Sequence, residues 1–250
     1  MGKPGRQALR LWLDDIVSGY GIHLAIANGE NAAGGIGLTG EVAEEIFGYG
    51  INVLTMGNHV WDKKEIMEII DEEERLLRPL NYPAPAPGRG SVIVPAGGVK
   101  VAVMNLSGRV FNPQHLDCPF RLADAELERL KAETPLVIVD FHAEATSEKQ
   151  AMAWHLAGRV TALIGTHTHV QTSDEQVLPG GTAFITDVGM TGPTNSVIGI
   201  KKELALERFI TQRPVKFEVA RGRIQLSALV VEADEATGQA RAVHRLLLRS

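Results

Sequence analysis

The 250-residue chain contains a single cysteine, Cys118, so no intrachain disulfide can form, and a reducing, cytoplasmic compartment fits. An excess of basic charge is also missing: 25 Lys and Arg stand against 30 Asp and Glu, for a net charge of −5. Duplex nucleic acid and anionic membranes require clustered Lys and Arg, so neither is an expected partner. No apolar run approaches the length of a bilayer span. Met1 to Arg6 leads into an amphipathic stretch and not into an apolar secretory core. Gly2 does not mark myristoylation, because Arg6 occupies the position where that motif takes Ser or Thr. Repeats, low-complexity tracts and linkers are absent, which predicts one domain over residues 1–250.

What is present is a 44% hydrophobic chain in which short β-rich runs alternate with helical patterns. Leu9, Leu11, Leu13 and Ile16 recur at helical spacing, predicting a helix over Arg6–Ser18 closed by Gly19. Ile22–Ala27 reads as a buried strand, Thr39 as the cap of a helix reaching about Phe47, and Ile51–Met56 as the next strand. A helix is expected from about Asp62 to Ile70. Pro79–Gly90 holds four of the twelve prolines and must be irregular. Ser91–Pro95 and Val99–Leu106 flank Gly97-Gly98 as a hairpin. Leu136–Asp140, Ala162–Gly165 and Ala183–Asp187 read as strands, with helices before and between the first two. Three consecutive strands follow: Val215–Ala220, Arg223–Glu232 and Ala242–Leu248. βα units ending in a β meander predict an α/β fold with two packed sheets and helices on the outer faces.

Four strand ends carry side chains able to bind a cation. Asn28-Gly29-Glu30-Asn31 follows the first predicted strand and Gly57-Asn58-His59 the second. His142 follows Leu136–Asp140, and Gly165-Thr166-His167-Thr168-His169 closes Ala162–Gly165. Open α/β sheets bind ligands at the carboxyl ends of their strands, and imidazole and carboxylate ligate Zn, Fe and Mn. Each element alone has a plainer reading: a histidine as a structural hydrogen-bonder, Asn58 as a turn residue, Glu30 as a charge at a helix entry. Four such ends together point to a metal site.

These motifs resemble those of the calcineurin-like metallophosphoesterases. The strings Asn28–Ala33, Asp140–Lys149 and Thr186–Pro193 are similar to one branch, the YmdB-like family of bacterial 2′,3′-cyclic-nucleotide phosphodiesterases. The resemblance implies two divalent or mixed-valence metal ions, Fe or Mn, and a cyclic-nucleotide substrate. It implies Glu30 as the bridging ligand, Asn58, His142 and His167 on one ion, and Asn31 and His169 on the other. His59 would then be the catalytic acid. A homo-oligomer is also implied. The family opens with a strand ending in a Gly-Asp ligand, and this chain begins after that point, so a first strand is expected to be missing. Asp14 and Asp15 lie on the following predicted helix and are poor substitutes.

Two other readings compete. Gly35-Ile36-Gly37-Leu38-Thr39-Gly40 matches the dinucleotide-binding pattern, but about seven residues separate it from its strand and no acid follows the next strand. A phosphoesterase fold weakened at its first metal, acting as a nucleotide-binding regulator, is the third class. Arg109, Arg159 and Lys149 are expected to be surface or ion-pair residues, and Trp61 to pack. Asp187 is expected to orient a ligand histidine or to serve a turn.

Overall fold

A computed structural model describes residues Met1–Ser250. Five helices are present: α1 (Gly2–Tyr20), α2 (Gly40–Gly48), α3 (Pro119–Lys131), α4 (Thr146–Leu156) and α5 (Lys202–Thr211). The strands are β1 (Ile26–Asn28), β2 (Val53–Thr55), β3 (Leu76–Leu77), β4 (Ser91–Ala96), β5 (Val99–Ser107) and β6 (Val137–His142). They continue with β7 (Ala162–Thr166), β8 (Gln176–Leu178), β9 (Thr182–Ile185), β10 (Gly192–Pro193), β11 (Ile224–Ala233) and β12 (Ala240–Arg249). No helix is long and apolar enough to cross a membrane.

The strands form three sheets, where the sequence predicts two. One is parallel, β1-β2-β3; one is β4-β5-β6-β7-β9-β8; the third is β10-β11-β12. In the six-stranded sheet β5, β6, β7 and β9 run parallel, and the antiparallel β4 and β8 form its edges. Phe141, Met104 and Leu106 pack there against Leu127, Leu130, Met152 and Leu156 of α3 and α4. A second cluster joins Leu54 and Met56 to Leu38, Ile46, Ile66 and Ile70.

The separation into three sheets has a physical cause. β1 hydrogen-bonds only to β2, and β11 has only the two residues of β10 on its side away from β12. A groove of about 670 Å³ lies between, walled by Leu24, Ile26, Val103, Ile138, Leu226 and Val230 and reaching the histidine cluster. Ile22–Ala27 therefore differs from its reading as a buried strand: only Ile26–Asn28 is regular, and it is half-buried.

Several boundaries also move. α1 extends to Tyr20, because Gly21 rather than Gly19 takes the left-handed cap, at φ 62 and ψ 44. Thr39 caps α2 as expected, its hydroxyl accepting from Val42 N at 3.4 Å. The helix expected over Asp62–Ile70 is a single 3₁₀ segment, Lys64–Glu68. Pro79–Gly90 is irregular as predicted, held by the buried Arg78 guanidinium donating to the carbonyls of Pro79, Ala86 and Pro87. The β4–β5 hairpin forms around Gly97 and Gly98, both at positive φ. Val215–Ala220 is not a strand. It is a largely exposed segment that meets residues 199–201 only at its end, through the Val219–Ile200 bridge and the bonds Lys201 N to Glu218 O and Ala220 N to Gly199 O, so no ladder forms along it.

Candidate metal centre

β1, β2, β6 and β7 run parallel to their sequence neighbours and deliver their carboxyl ends to one place. Glu30 follows β1 and is 2% exposed. Its Oε1 lies 3.2 Å from His142 Nε2 and accepts from Asn31 Nδ2 at 3.2 Å. Its Oε2 accepts from His59 N at 3.3 Å. His142 Nε2 also lies 3.0 Å from Asn58 Oδ1 and 2.9 Å from His167 Nδ1. Ligand atoms of Glu30, His142 and His167 all fall within 4.8 Å of one another.

The protonation pattern explains what this cluster can hold. His142 Nδ1 is 2.9 Å from Thr166 Oγ1, which in turn donates to Asp140 Oδ1 at 2.7 Å. Thr55 Oγ1 and Asn28 Nδ2 also donate to Asp140, so this buried carboxylate only accepts. The single Thr166 proton is committed to Asp140, so Thr166 accepts from Nδ1–H of His142. A cation would take this ring in its neutral form, with the Nε2 lone pair facing Glu30, Asn58 and His167, all lone-pair donors as well. Such a set suits a cation. Gly57 leaves the space: a Cβ there would collide with His142 Nε2 and Glu30 Oε2.

Glu30 and His142 hold each other's charge, a role that a bound cation would take over from the ring proton. Burial alone would raise the Glu30 pKa, but His142 and His59 outweigh it and hold it at about 2. Burial would lower His142, yet Glu30 and Asp140 raise it overall. Burial and the neighbouring His142 bring His167 down to about 4. His169 is lowered, mainly by burial.

His169 sits at the flank. Its Nδ1 donates to Ile198 O at 2.9 Å, leaving Nε2 3.2 Å from Asn31 Nδ2. Asn31 thereby links His169 to Glu30. His167 and His169 both adopt positive φ, 106° and 68°, which is strained for residues other than glycine. The strain is held by Asp187, whose Oδ2 accepts from Thr168 N at 2.9 Å, Thr168 Oγ1 at 2.8 Å and Lys149 Nζ at 2.8 Å. Asp187 therefore clamps the residue between the two histidines and touches neither imidazole. Lys149 is no surface residue; it is fully buried in this pair. His59 turns its Nδ1 to Asp62 Oδ2 at 2.5 Å and is half-buried.

Sequence reading missed Asp62, Asp140, Glu144 and Thr166. Glu144 Oε2 lies 3.0 Å from His167 Nε2. Asp62 and Glu144 stand three and two residues beyond a singled-out histidine, a signal that was available. Arg159 pairs with Asp124 at 2.7 Å, and Trp61 packs edge-on against Tyr82 with ring centroids 5.7 Å apart. The string Gly35–Gly40 lies in the loop before α2, with Gly35 against Val219 and Gly37 against Lys63, leaving no pyrophosphate cradle at a strand end.

A mixed α/β fold with these donors gathered at parallel strand ends defines a phosphoesterase-type enzyme. A phosphatase of Mycoplasma pneumoniae matches it with a TM-score of 0.93 and 35% identity, over 99% of this chain and 90% of that one. A Thermus thermophilus protein matches with a TM-score of 0.93 and 41% identity, over 100% of this chain and 96% of that one. The 2′,3′-cyclic-nucleotide 2′-phosphodiesterase of Bacillus subtilis (strain 168) is 46% identical over 248 residues, 99% of this chain and 94% of the relative. The chain belongs to the YmdB-like protein family, whose sequence profile matches residues 1–246.

Proposed function

We propose that this protein is a dinuclear-metal phosphodiesterase acting on 2′,3′-cyclic nucleotides in the cytoplasm, built as one domain over residues 1–250. The reading is carried by one observation: three lone-pair donors, Glu30 Oε1, Asn58 Oδ1 and His167 Nδ1, converge on His142 Nε2, and a single proton there could serve only one of them well. Glu30 would bridge two ions, Fe or Mn. Asn58, His142 and His167 would complete one site, and Asn31 and His169 the other. When bound, the ions would supply positive charge for an attacking oxygen and for the phosphoryl oxygens.

The chain's own residues do the remaining work. Thr166 and Asp140 fix the His142 tautomer, and Glu144 aims His167 through its Nε2. Asp187 holds Thr168 so that His167 and His169 keep their strained backbone. His59 is the proposed acid for the leaving ribose oxygen. Asp62 on its Nδ1 fixes the ring's orientation, and the half-buried position keeps it open to exchange with water.

The second group has one imidazole and one carboxamide besides the shared Glu30, so its ion should be held more weakly. The groove ends beside it. An extended segment between β1 and β11 would pair both open edges and join two of the three sheets into the second layer of a sandwich. The test of the reading is metal analysis after dialysis on wild type and His142→Ala. Wild type should retain metal and cleave adenosine 2′,3′-cyclic phosphate when metal is supplied. The variant should lose both. Full metal retention in His142→Ala would remove it from the ligand set.

A further inference from the structure

Phe111 occupies a position that the backbone reserves for glycine. Arg109 to Asn112 form a turn closed by Asn112 N donating to Arg109 O at 3.2 Å, and Phe111, its third residue, has φ 61. Gly or Asn ordinarily fills a left-handed position in such a turn, because a β-carbon there meets the backbone. This phenyl ring gains no burial in return: the residue is 84% exposed. A side chain that costs folding energy twice, through strain and through exposed apolar surface, points to a task outside the fold.

Its surroundings show where that task lies. The arch Gly108–Leu116 rests on both sides of the metal centre. Gly108 N donates to His142 O at 2.9 Å, and Gln114 Nε2 donates to Asn58 O at 3.1 Å. The buried Glu148 carboxylate accepts from Arg109 N at 2.9 Å and Val110 N at 3.1 Å. Asn112 Nδ2 spans the arch to Gly108 O at 3.0 Å. The tip is thus a braced mount for an aromatic ring. Phe111 stands three positions from each foot, a reach of about 10 Å at most. Trp61, two residues past His59, is already occupied edge-on by Tyr82.

We infer that Phe111 receives the nucleobase of the substrate, stacking on it while the phosphate lies at the metal centre. This rests on the cyclic-nucleotide reading above. It adds a specificity element: the enzyme selects phosphodiesters that carry a flat aromatic group one ribose away from phosphorus.

The experiment compares KM for adenosine 2′,3′-cyclic phosphate with KM for 1-O-methylribose 2′,3′-cyclic phosphate, which has no base, using metal-supplemented protein. Base stacking on an aromatic residue gives a preference of roughly ten- to a hundredfold. Wild type and Phe111→Tyr should show that ratio, and Phe111→Gly should bring it close to one. The melting midpoint of Phe111→Gly should be unchanged or higher, since glycine adopts φ 61 without strain. A lowered midpoint with the KM ratio intact would make Phe111 a packing residue and overturn the inference. Equal KM values in wild type would overturn it as well. If wild type cleaves neither compound, the phosphodiesterase reading itself fails, a result separable from both.

Discussion

Thr166 accepts the Nδ1 proton of His142 at 2.9 Å while passing its own proton to Asp140 at 2.7 Å. One hydroxyl thereby decides which nitrogen of His142 faces Glu30, Asn58 and His167. Thr166→Val keeps the shape of the side chain but neither accepts nor donates. Metal affinity should fall by roughly 10- to 100-fold, the usual consequence of losing an outer partner of a ligating histidine. Thr166→Ser should restore it. Equal affinity in wild type and the valine variant, measured by competition with a chelator, would show that the relay does not set the tautomer.

His59 and Asp62 form a separable unit. His59→Ala should cut kcat by roughly 10²–10⁴-fold, the range for a lost general acid, with metal content nearly unchanged. Asp62→Asn should give a smaller loss of kcat, since the ring stays in place but loses the carboxylate that orients it. Loss of metal in His59→Ala, by elemental analysis, would instead assign His59 to the ligand set.

Lys149 and Asp187 are both buried, at 0% and 2% side-chain exposure. Lys149→Met leaves the Asp187 carboxylate buried without its cation, which costs about 3–5 kcal/mol. Chemical denaturation should show that loss. Lys149→Met/Asp187→Asn should recover part of the stability. A Lys149→Met variant as stable as wild type would mean that Thr168, together with Gly189 N, which donates to Asp187 Oδ1 at 2.8 Å, satisfies the carboxylate alone.

The metal-free protein should carry an acid-sensitive term from His167. Burial and His142 hold this ring at about 4, below the ordinary 6.5. The unfolded chain takes up a proton near pH 6.5 that the folded chain refuses until about pH 4. The associated stability is complete above 6.5 and is lost as pH falls through 4. His142 contributes with opposite sign, since Glu30 raises it despite burial. The informative quantity is therefore the difference between wild type and His167→Asn, which should shrink from pH 7 to pH 4 in thermal melts. A pH-independent difference would contradict the depressed value.

How much of this could be read from sequence follows from locality. The parallel strand ends at Asn28, Thr55, His142 and Thr166 were legible because apolar runs stop where polar residues begin. The number of sheets was not, because it depends on which strands meet across the β1–β11 gap. Val215–Ala220 has strand-like residues, but tertiary pairing decides strands, and a single bridge, Val219 to Ile200, forms at its end. The string Gly165–His169 names two imidazoles but not their positive φ past the end of β7, and while the resemblance joins Asn31 to His169, their contact across 138 positions is visible only in the fold. Lys149 reads as a surface or ion-pair residue, and only the fold shows that its pair is a buried one with Asp187.

The central claim, metal-dependent cleavage of a cyclic phosphodiester at the Glu30–His142–His167 cluster, is tested most directly by titrating Mn²⁺ into chelator-stripped protein while following hydrolysis of adenosine 2′,3′-cyclic phosphate. The account predicts no turnover in the stripped protein and a rate that climbs until a second, weaker equivalent is bound. Turnover in the stripped protein equal to that at saturating metal would contradict it.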